Sequence, residues 1–388
     1  MAEGVQIYGA FDVGVLMRGG NDNNLAAAAR TTDGGTETNV ASGMNGHNGI
    51  GFRVSEDLGN GMKLGGDAMF GFALDSASSN FNPNGGTFNA IYSYLSLSGD
   101  FGTIIAGRAG GARAGWLKKY DPFGGFGVGG QLAVHTSRLG NADYADNVIA
   151  WITPEVFPGL KGLFAYTTNL VGQDGTNRGT VLNTVGANIY VEQVSTPLYA
   201  IAAMYDSGPL SFVVNYEKLW LYSANVGGGG DNTHVITLGT SYDFGVAKVF
   251  AAWDQLTNAT NGWQIGASAP VSEALTLKAG YAFSEVKGTA NGTGVGAGGS
   301  GVGGVVVNRA GDTNGAECGK WSLGATYTLS KRTNLYADYA RLTNLDAGSN
   351  CRGGINTYGG SYANGGGARD NGVGYGEWGS NIGVRHTF

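Results

Sequence analysis

The sequence of 388 residues is poor in charge, since only 13% of its residues are Asp, Glu, Lys or Arg, roughly half the share usual in soluble domains. It has only two cysteines, too few for a disulfide scaffold and not spaced as Cys-x-x-Cys metal or redox sites are. Basic residues are not in excess, because the formal net charge is −6. We therefore expect no nucleic-acid partner, since proteins that bind nucleic acid present a cationic face.

Long apolar runs are also missing. The longest, residues 148–152 and 198–204, fall far short of the ~18 to 20 residues that a membrane-spanning helix needs. Glycine, by contrast, is abundant with 72 residues, aromatic residues make up 11% of the chain and hydrophobic residues 42%. Because disordered chains contain few aromatic and β-branched residues, this composition indicates a folded protein. It excludes a helical membrane protein and is unusual for a soluble enzyme.

The dominant pattern is an alternation of apolar and polar residues, which is typical of β-strands whose two faces meet different surroundings. In the first such stretch, Ile7 and Phe11 fall on one face, and Gln6 and Asp12 fall on the other. About sixteen segments alternate in this way, each close to the ~9 to 11 residues with which a tilted strand crosses a bilayer. We expect them to begin near residues 4, 48, 62, 88, 103, 144, 160, 197, 209, 233, 246, 262, 274, 320, 332 and 378.

The connections between these segments alternate in length. Short ones, such as 59–61 and 207–208, are typical β-turns. The long ones cover roughly residues 19–47, 109–143, 169–196, 288–319 and 344–377. This pattern predicts an up-and-down antiparallel sheet with two unlike ends.

A sheet of sixteen strands closes into a barrel too wide for side chains to fill. A closed barrel also gives every backbone polar group a partner within lipid. We therefore predict an all-β transmembrane antiparallel barrel of 16 strands, one domain over residues 1–388, with apolar side chains toward lipid and polar ones toward an aqueous lumen. Aromatic residues near strand ends are expected to form the interfacial girdles of such a barrel. They are Tyr92, Tyr94, Trp151, Tyr166, Tyr216, Trp220, Trp253, Tyr281, Phe283, Tyr327 and Tyr339.

Three segments carry a family likeness. Residues 8–14 read Tyr-Gly-Ala-Phe-Asp-Val-Gly, residues 330–333 read Ser-Lys-Arg-Thr, and the chain ends in Val-Arg-His-Thr-Phe at 384–388. In these segments the chain resembles the general trimeric porins of Gram-negative outer membranes, particularly those of beta-proteobacteria. The resemblance implies a homotrimer in the bacterial outer membrane, in contact with its lipid and lipopolysaccharide. It also implies that the third extracellular loop, here 109–143, folds into each lumen as a constriction.

Members of this family commonly set an acidic loop against a ladder of basic wall residues. Here the ladder-like positions hold Gly49, Ile91 and Tyr144 instead of arginine, whereas the loop carries several cations. We expect a partly reversed polarity, in which exchange of Arg113 or Lys118 for Glu lowers the anion permeability. The alternative is that the loop cations point into solvent or pair with the wall. The residues expected at the constriction are Arg53, Lys63, Asp67, Arg108, Arg113, Lys118, Lys119, Asp121, Arg138 and Arg385, and strand alternation also places Asp12, Glu217 and Asp254 on the wall.

Other chemistry-bearing residues point to no enzyme. The Gly294–Gly299 match to G-x-G-x-x-G has no helix after it, as a cofactor site would require. The histidines, His47, His135, His234 and His386, have no sequence context of a nucleophile and its base. We expect Cys318 and Cys351, in the last two long loops, to form a disulfide, and two separate thiols are the alternative.

No cofactor or resident metal is expected. Acidic loop residues offer oxygen ligands for Ca²⁺ or Mg²⁺ bridging to lipopolysaccharide, although solvated loop charge is the commoner outcome. These residues are Asp22, Asp33, Glu37, Asp174, Asp231, Asp312, Asp346 and Asp370.

The sequence therefore predicts a water-filled channel for passive diffusion of small hydrophilic solutes and ions. One alternative is a substrate-selective channel that binds a small anionic nutrient through Arg53, Lys63, Arg113 and Lys118. A β-rich surface adhesin is a third class, which would be soluble without detergent.

Overall fold

The computed structural model describes residues 4–19, 36–75, 90–132, 134, 144–168, 179–182, 188–191, 197–220, 232–257, 260–286, 315, 317–343, 355 and 377–388. In chain order the strands are β1 (Gly4–Gly19), β2 (Glu37–Ser42), β3 (Gly49–Gly59), β4 (Met62–Gly71), β5 (Ala90–Gly99), β6 (Gly102–Gly110), β7 (Tyr144–Ile152), β8 (Leu160–Thr167), β9 (Gly179–Leu182), β10 (Asn188–Val191), β11 (Leu198–Ser207), β12 (Leu210–Trp220), β13 (Asn232–Asp243), β14 (Lys248–Leu256), β15 (Thr260–Pro270), β16 (Leu275–Val286), β17 (Glu317–Thr328), β18 (Thr333–Thr343) and β19 (Trp378–Thr387). One helix, α1 (Ala112–Lys119), lies between β6 and β7. No helix in these ranges is long and apolar enough to span a membrane.

Seventeen of these strands form the predicted closed antiparallel barrel of sixteen, in which β2 and β3 together make one strand of the wall. The chain end completes it, because β19 pairs with β1 over ten residue pairs, with Val384 opposite Val13. Phe388 extends this contact, since its backbone N–H donates to the carbonyl of Gly9 at 3.0 Å and its carbonyl accepts from the N–H of Gly9 at 3.1 Å. The strand starts match the sequence prediction, with the largest difference at β17, which begins at residue 317 instead of 320.

The first long connection differs from the prediction, because it contains the strand β2. Strands β2 and β3 pair with successive parts of β1, so that they form one interrupted strand of the barrel. At the interruption, residues 43–48, hydrogen bonds from side chains take the place of the backbone hydrogen bonds of a continuous strand. Asn48 Nδ2 donates to the carbonyl of Asp12 at 3.0 Å, and the Asp12 carboxylate accepts from the N–H of Asn45. The alternation of apolar and polar residues did not predict these side-chain hydrogen bonds.

The hairpin of β9 and β10 also lies within an expected long connection, 169–196, and forms a separate two-stranded sheet. Because β9 and β10 lie outside the barrel sheet, β8 pairs directly with β11. We call the barrel end with the short connections the turn end, and the other the loop end.

The two faces of the wall follow the predicted alternation. Val5, Ile149 and Ile382 are exposed on the outside, whereas Asp12 and Asn215 are buried inside. Tyr166 and Tyr327 are exposed on the outside, as a girdle requires.

Tyr92 and Tyr94 were expected in the girdle, and that assignment is wrong. They stand on the polar face of β5, and the Tyr92 hydroxyl lies 2.7 Å from that of Tyr8. Leu95, on the opposite face of β5, is the exposed outer residue. Tyrosine suits both positions, since it has an apolar ring and a polar hydroxyl.

Candidate functional site

The segment from residue 111 to 132 lies inside the barrel, where the sequence predicted a constriction loop. Helix α1 contacts β12 and β13. Gln264 of β15 donates through Nε2 to the carbonyls of Leu117 and Tyr120, both at 2.9 Å. On the far side, Asn381 of β19 accepts from the N–H of Val128 at 2.8 Å. The loop is therefore attached along the wall from β12 to β19.

Glycine allows the loop to turn within this space. Gly124, Gly125 and Gly127 have φ values of 65°, 77° and 66°, the left-handed region that other residues adopt only with strain. Outside the loop, Gly239 of β13 has a different role, because a Cβ atom there would overlap the ring of Tyr120. The glycines thus serve both the turn itself and its close approach to the wall.

Asp121 organises the same turn. Its carboxylate accepts from the backbone N–H groups of Phe123 at 2.9 Å, Gly125 at 3.0 Å and Gln131 at 2.7 Å. Burial raises the pKa of this carboxyl, and the three N–H donors and the charge of Lys320 oppose that rise. Asp121 is thus a structural acid within the loop and is 4% exposed.

Lys320 of β17 was not identified from the sequence. It is completely buried, and its ammonium donates to the carbonyls of Val128, at 3.2 Å, and Gly130. The signal was present, because Lys320 shares the inward face of β17 with Ser322. The sequence prediction begins the strand at this residue, where alternation does not yet assign an inward orientation.

Arg113 does not face the lumen as the polarity hypothesis assumed. Its Nε lies 2.7 Å from the Asp254 carboxylate, and Nη2 also donates there. Its backbone N–H donates to Glu217 at 2.7 Å. Arg113 and both acids are buried. Arg113 therefore attaches helix α1 to the wall, which corresponds to the paired alternative.

The wall formed by β1, β3, β4 and β5 carries a more accessible cation. Arg53 donates through Nε and Nη2 to one oxygen of Asp67, at 2.9 and 2.7 Å, and Tyr8 donates to the other. The guanidinium carbon lies 4.8 Å from the centre of the Tyr8 ring. The Arg53 side chain is 46% exposed, while that of Asp67 is 8% exposed.

A series of rings connects this wall with the loop. The ring centres of Tyr92 and Tyr144 lie 5.9 Å apart, and Tyr144 lies at the same distance from His47. His47 makes an edge contact at 5.1 Å with Phe126 of the loop. Lys118 Nζ lies 5.2 Å from the centre of the Phe126 ring. His47 lies in the segment 43–48, so that the interruption of the barrel strand supports the loop.

Burial, together with the charges of Lys118 and Arg385, lowers the pKa of His47 to about 3. His47 is therefore neutral at physiological pH.

The other expected constriction residues occupy different places. Arg108 bonds to the carbonyls of Ala90 and Ile91 at 3.1 and 3.0 Å and pairs with Asp146. Lys119 pairs with Asp206 at 2.8 Å near the turn end. Arg385 lies 3.7 Å from the buried Asp12. Lys63 is exposed beside the 59–61 turn, and Arg138 lies outside the described residues.

The predicted disulfide and the predicted cation-binding acids lie only partly within the described residues. Cys318 is buried and disulfide-bonded, whereas Cys351 lies outside the described residues. His135 and the glycine-rich stretch 288–304 lie outside them too, as do the side chains of the acidic loop residues proposed to bind Ca²⁺ or Mg²⁺. Within the described ranges, no three His, Cys, Asp or Glu residues are grouped closely enough to hold a metal ion.

Taken together, six acids of the inner wall and the loop are covered, whereas four cations are partly exposed. Asp12, Asp67, Asp121, Glu217, Asp254 and Asp338 are each less than 9% exposed. Arg53, Lys119, Arg108 and Arg385 are 46%, 36%, 27% and 21% exposed. In the described part of the lumen near the loop, the more exposed acids Asp146 and Asp206 are paired with Arg108 and Lys119. The geometry is that of a narrowed aqueous passage whose wall exposes Arg53 and covers most of its acids.

Comparison with known proteins agrees with this architecture. The family model described as Gram-negative porin matches residues 1–347. Outer membrane porin protein 32 of Delftia acidovorans is 29% identical over 383 residues, which cover 95% of this chain and 92% of that protein. An outer membrane porin protein of Bordetella pertussis is 28% identical over 366 residues, which cover 86% and 87%.

Solved structures show the same similarity. The anion-selective porin from Comamonas acidovorans matches with a TM-score of 0.70 and 26% identity over the full length of both chains. OmpF of Salmonella typhi, at 16% identity, shares the fold with a TM-score of 0.64 over 100% of this chain and 98% of that one.

Proposed function

The chain belongs to the family of Gram-negative porins, and we propose that within this family it forms a channel that prefers anions. It is an outer-membrane β-barrel through which small hydrophilic solutes and ions diffuse passively, and it is not an enzyme. No chemical step is needed for this function, because the size and the electrostatic profile of the narrowest part decide which solutes pass.

The unequal exposure of acids and cations supports the anion preference. An ion pair in which both partners are buried contributes little field to the lumen, whereas the guanidinium of Arg53 is far more exposed to passing ions than its buried partner Asp67. The opposing loop adds Lys118, which is only half-buried. The name of the 26% identical Comamonas porin, which describes that protein as anion-selective, is consistent with this proposal.

The general pore is favoured over the nutrient-selective alternative. That alternative requires Arg53, Lys63, Arg113 and Lys118 to surround one anion. Arg113 is buried against Asp254, and Lys63 lies beside the 59–61 turn at the turn end. The four cations therefore do not form one binding site.

The preference is tested with the purified full-length protein in a planar bilayer under a KCl gradient. We expect a reversal potential of the sign that corresponds to a chloride permeability above that of potassium. A potential of opposite sign would contradict the proposal, and an electrically silent membrane would contradict the channel itself.

We also propose a homotrimer that contacts lipopolysaccharide, as the family resemblance implies. The chain has a mass of 39.8 kDa, so that the protein component of a detergent-solubilised trimer should have three times that mass. Light scattering corrected for bound detergent measures this quantity. A monomer under mild extraction would contradict the proposal.

A further inference from the structure

The wall that carries Arg53 also presents several tyrosine rings to the lumen. The ring centres of Tyr92 and Tyr94 lie 6.1 Å apart, and a hydroxyl contact of 2.7 Å joins Tyr92 to Tyr8. Tyr8, Tyr92 and Tyr94 are each partly exposed. Gly51 leaves the space for this cluster, because a Cβ atom there would overlap the Tyr8 ring. The rings therefore line the lumen and are not covered by the wall.

The cation next to these rings retains donors that the wall does not use. Arg53 binds Asp67 through Nε and Nη2, and among the described residues Nη1 makes no hydrogen bond. A guanidinium has five N–H donors in one plane, and it binds a carboxylate through two parallel hydrogen bonds. Nearly half of the side chain is exposed, so that an anion in the lumen can approach it.

The strand register places the free donors and the rings side by side. Arg53 lies opposite Asp67, and Asp67 lies opposite Tyr94 on the next strand. Two strand spacings amount to about 10 Å between the backbones of Arg53 and Tyr94. A carboxylate bound at Arg53 therefore holds any ring attached to it next to Tyr94 or Tyr92.

We propose that Arg53 and the tyrosines Tyr8, Tyr92 and Tyr94 form a weak binding site in the lumen for anions with a flat aromatic ring, the class of aromatic monocarboxylates. The carboxylate binds the free edge of Arg53, and the ring packs in an offset or edge-to-face arrangement on Tyr94 and Tyr92. This inference rests on the proposed anion preference and adds a preferred class of anion. The site differs from the nutrient site considered above, because it uses one cation and the wall rings.

Flat aromatic rings gain more binding free energy than saturated rings on a surface of tyrosine rings. An aromatic pair contributes beyond the area that it buries, because the electron-rich face of one ring meets the positive edge of the other. A cyclohexane ring has similar size but lacks this charge distribution. Benzoate and cyclohexanecarboxylate carry the same charge and therefore separate the effect of the ring from that of Arg53.

The experiment titrates each of these two anions into a planar bilayer that contains the full-length protein and measures the inhibition of the KCl current. We expect benzoate to reach half-inhibition at a concentration about five-fold lower than cyclohexanecarboxylate. Tyr94→Phe should keep this difference, since the ring remains, and Tyr94→Leu should reduce it to less than two-fold. Tyr327→Leu, a change on the lipid-facing side, is the matched control and should leave it unchanged.

Equal inhibition by the two anions in the unaltered protein would overturn the site, and so would a full difference in Tyr94→Leu channels. The unaltered protein alone decides the first outcome, so that the test does not depend on the folding of a variant. The reversal potential in KCl, measured in the same membranes, reports separately on the proposed function. If chloride is preferred but the two carboxylates inhibit equally, only the aromatic site is wrong.

Discussion

Replacement of Arg53 by Gln should reduce the chloride-to-potassium permeability ratio. Arg53 is the most exposed cation of the wall near the loop, with 46% of its side chain accessible. The substitution removes one positive charge and leaves Asp67 bonded to Tyr8 without its guanidinium partner. This loss of one positive charge makes the potential in the lumen more negative.

The size of the effect follows from Coulomb's law. At about 5 Å in water a unit charge changes the energy of a passing ion by ~0.8 kcal/mol. Screening at 0.1 M salt, with a Debye length of about 10 Å, leaves ~0.5 kcal/mol. Because the chloride energy rises and the potassium energy falls by this amount, the two differ by ~1 kcal/mol. The permeability ratio should therefore fall about five-fold.

Lys63→Gln provides the matched control, since it removes the same charge from a lysine exposed beside the 59–61 turn. Reversal potentials in a KCl gradient should change clearly for Arg53→Gln and only slightly for Lys63→Gln. The effect of Arg53→Gln should weaken at 1 M salt, where the Debye length is about 3 Å. Equal changes in the two variants, or none for Arg53→Gln, would refute the assignment of Arg53 to the narrow part of the lumen.

Three further predictions concern the attachment of the loop and its neighbours. Lys320→Met should destabilise the barrel by about 3 to 5 kcal/mol, because it leaves Asp121 and two loop carbonyls buried without their cation. It should also increase the fluctuations of the channel current. Denaturant titration and single-channel recording test these two effects, with Lys331→Met, at an exposed lysine, as the control. His47 has a pKa lowered from 6.5 to about 3, so that its contribution to stability is complete above about pH 6.5 and is lost as the pH falls toward 3. His47→Gln should therefore reduce the decrease in thermal stability between pH 7 and pH 4, and an identical decrease in both proteins would contradict this. Alkylation of the denatured protein should add mass at Cys318 and Cys351 only after reduction, whereas labelling without reductant would show free thiols.

The barrel was predictable because its cause is local. Each strand needs only alternating side chains that suit lipid on one face and water on the other, and residues 5–15 show this directly. The interruption between β2 and β3 was missed because its hydrogen bonds come from Asp12 and Asn48. Alternation shows the face of the strand to which a side chain points, but it does not show the hydrogen bonds of that side chain. A side chain that takes the place of a backbone hydrogen bond therefore leaves no periodic signal.

The details of the constriction depend on contacts between residues far apart in the chain. Alternation placed Asp254 on the inner wall correctly, but it could not show that Arg113, 141 positions earlier, binds it. The girdle assignment of Tyr92 and Tyr94 failed for a related reason. Their phenol rings are as suitable for a lipid interface as for a wet wall. Only their position on the face of β5 opposite to the outward-facing Leu95 shows that they belong to the wet wall.

The attachment of the loop and the proposed selectivity have one physical basis. Loop residue Arg113 neutralises Asp254 beside Glu217, while the loop's own carboxylate, Asp121, is covered by backbone N–H groups and lies near Lys320. Each of these contacts buries a carboxylate together with a cation, Arg113 or Lys320, so that neither charge is accessible in the lumen. Among the described loop residues none covers Arg53 in this way, since its partner Asp67 belongs to the wall and is itself buried. Folding the loop inward thus narrows the passage with loop charges that are buried in pairs, and the exposed Arg53 then contributes the positive charge on which the proposed selectivity rests.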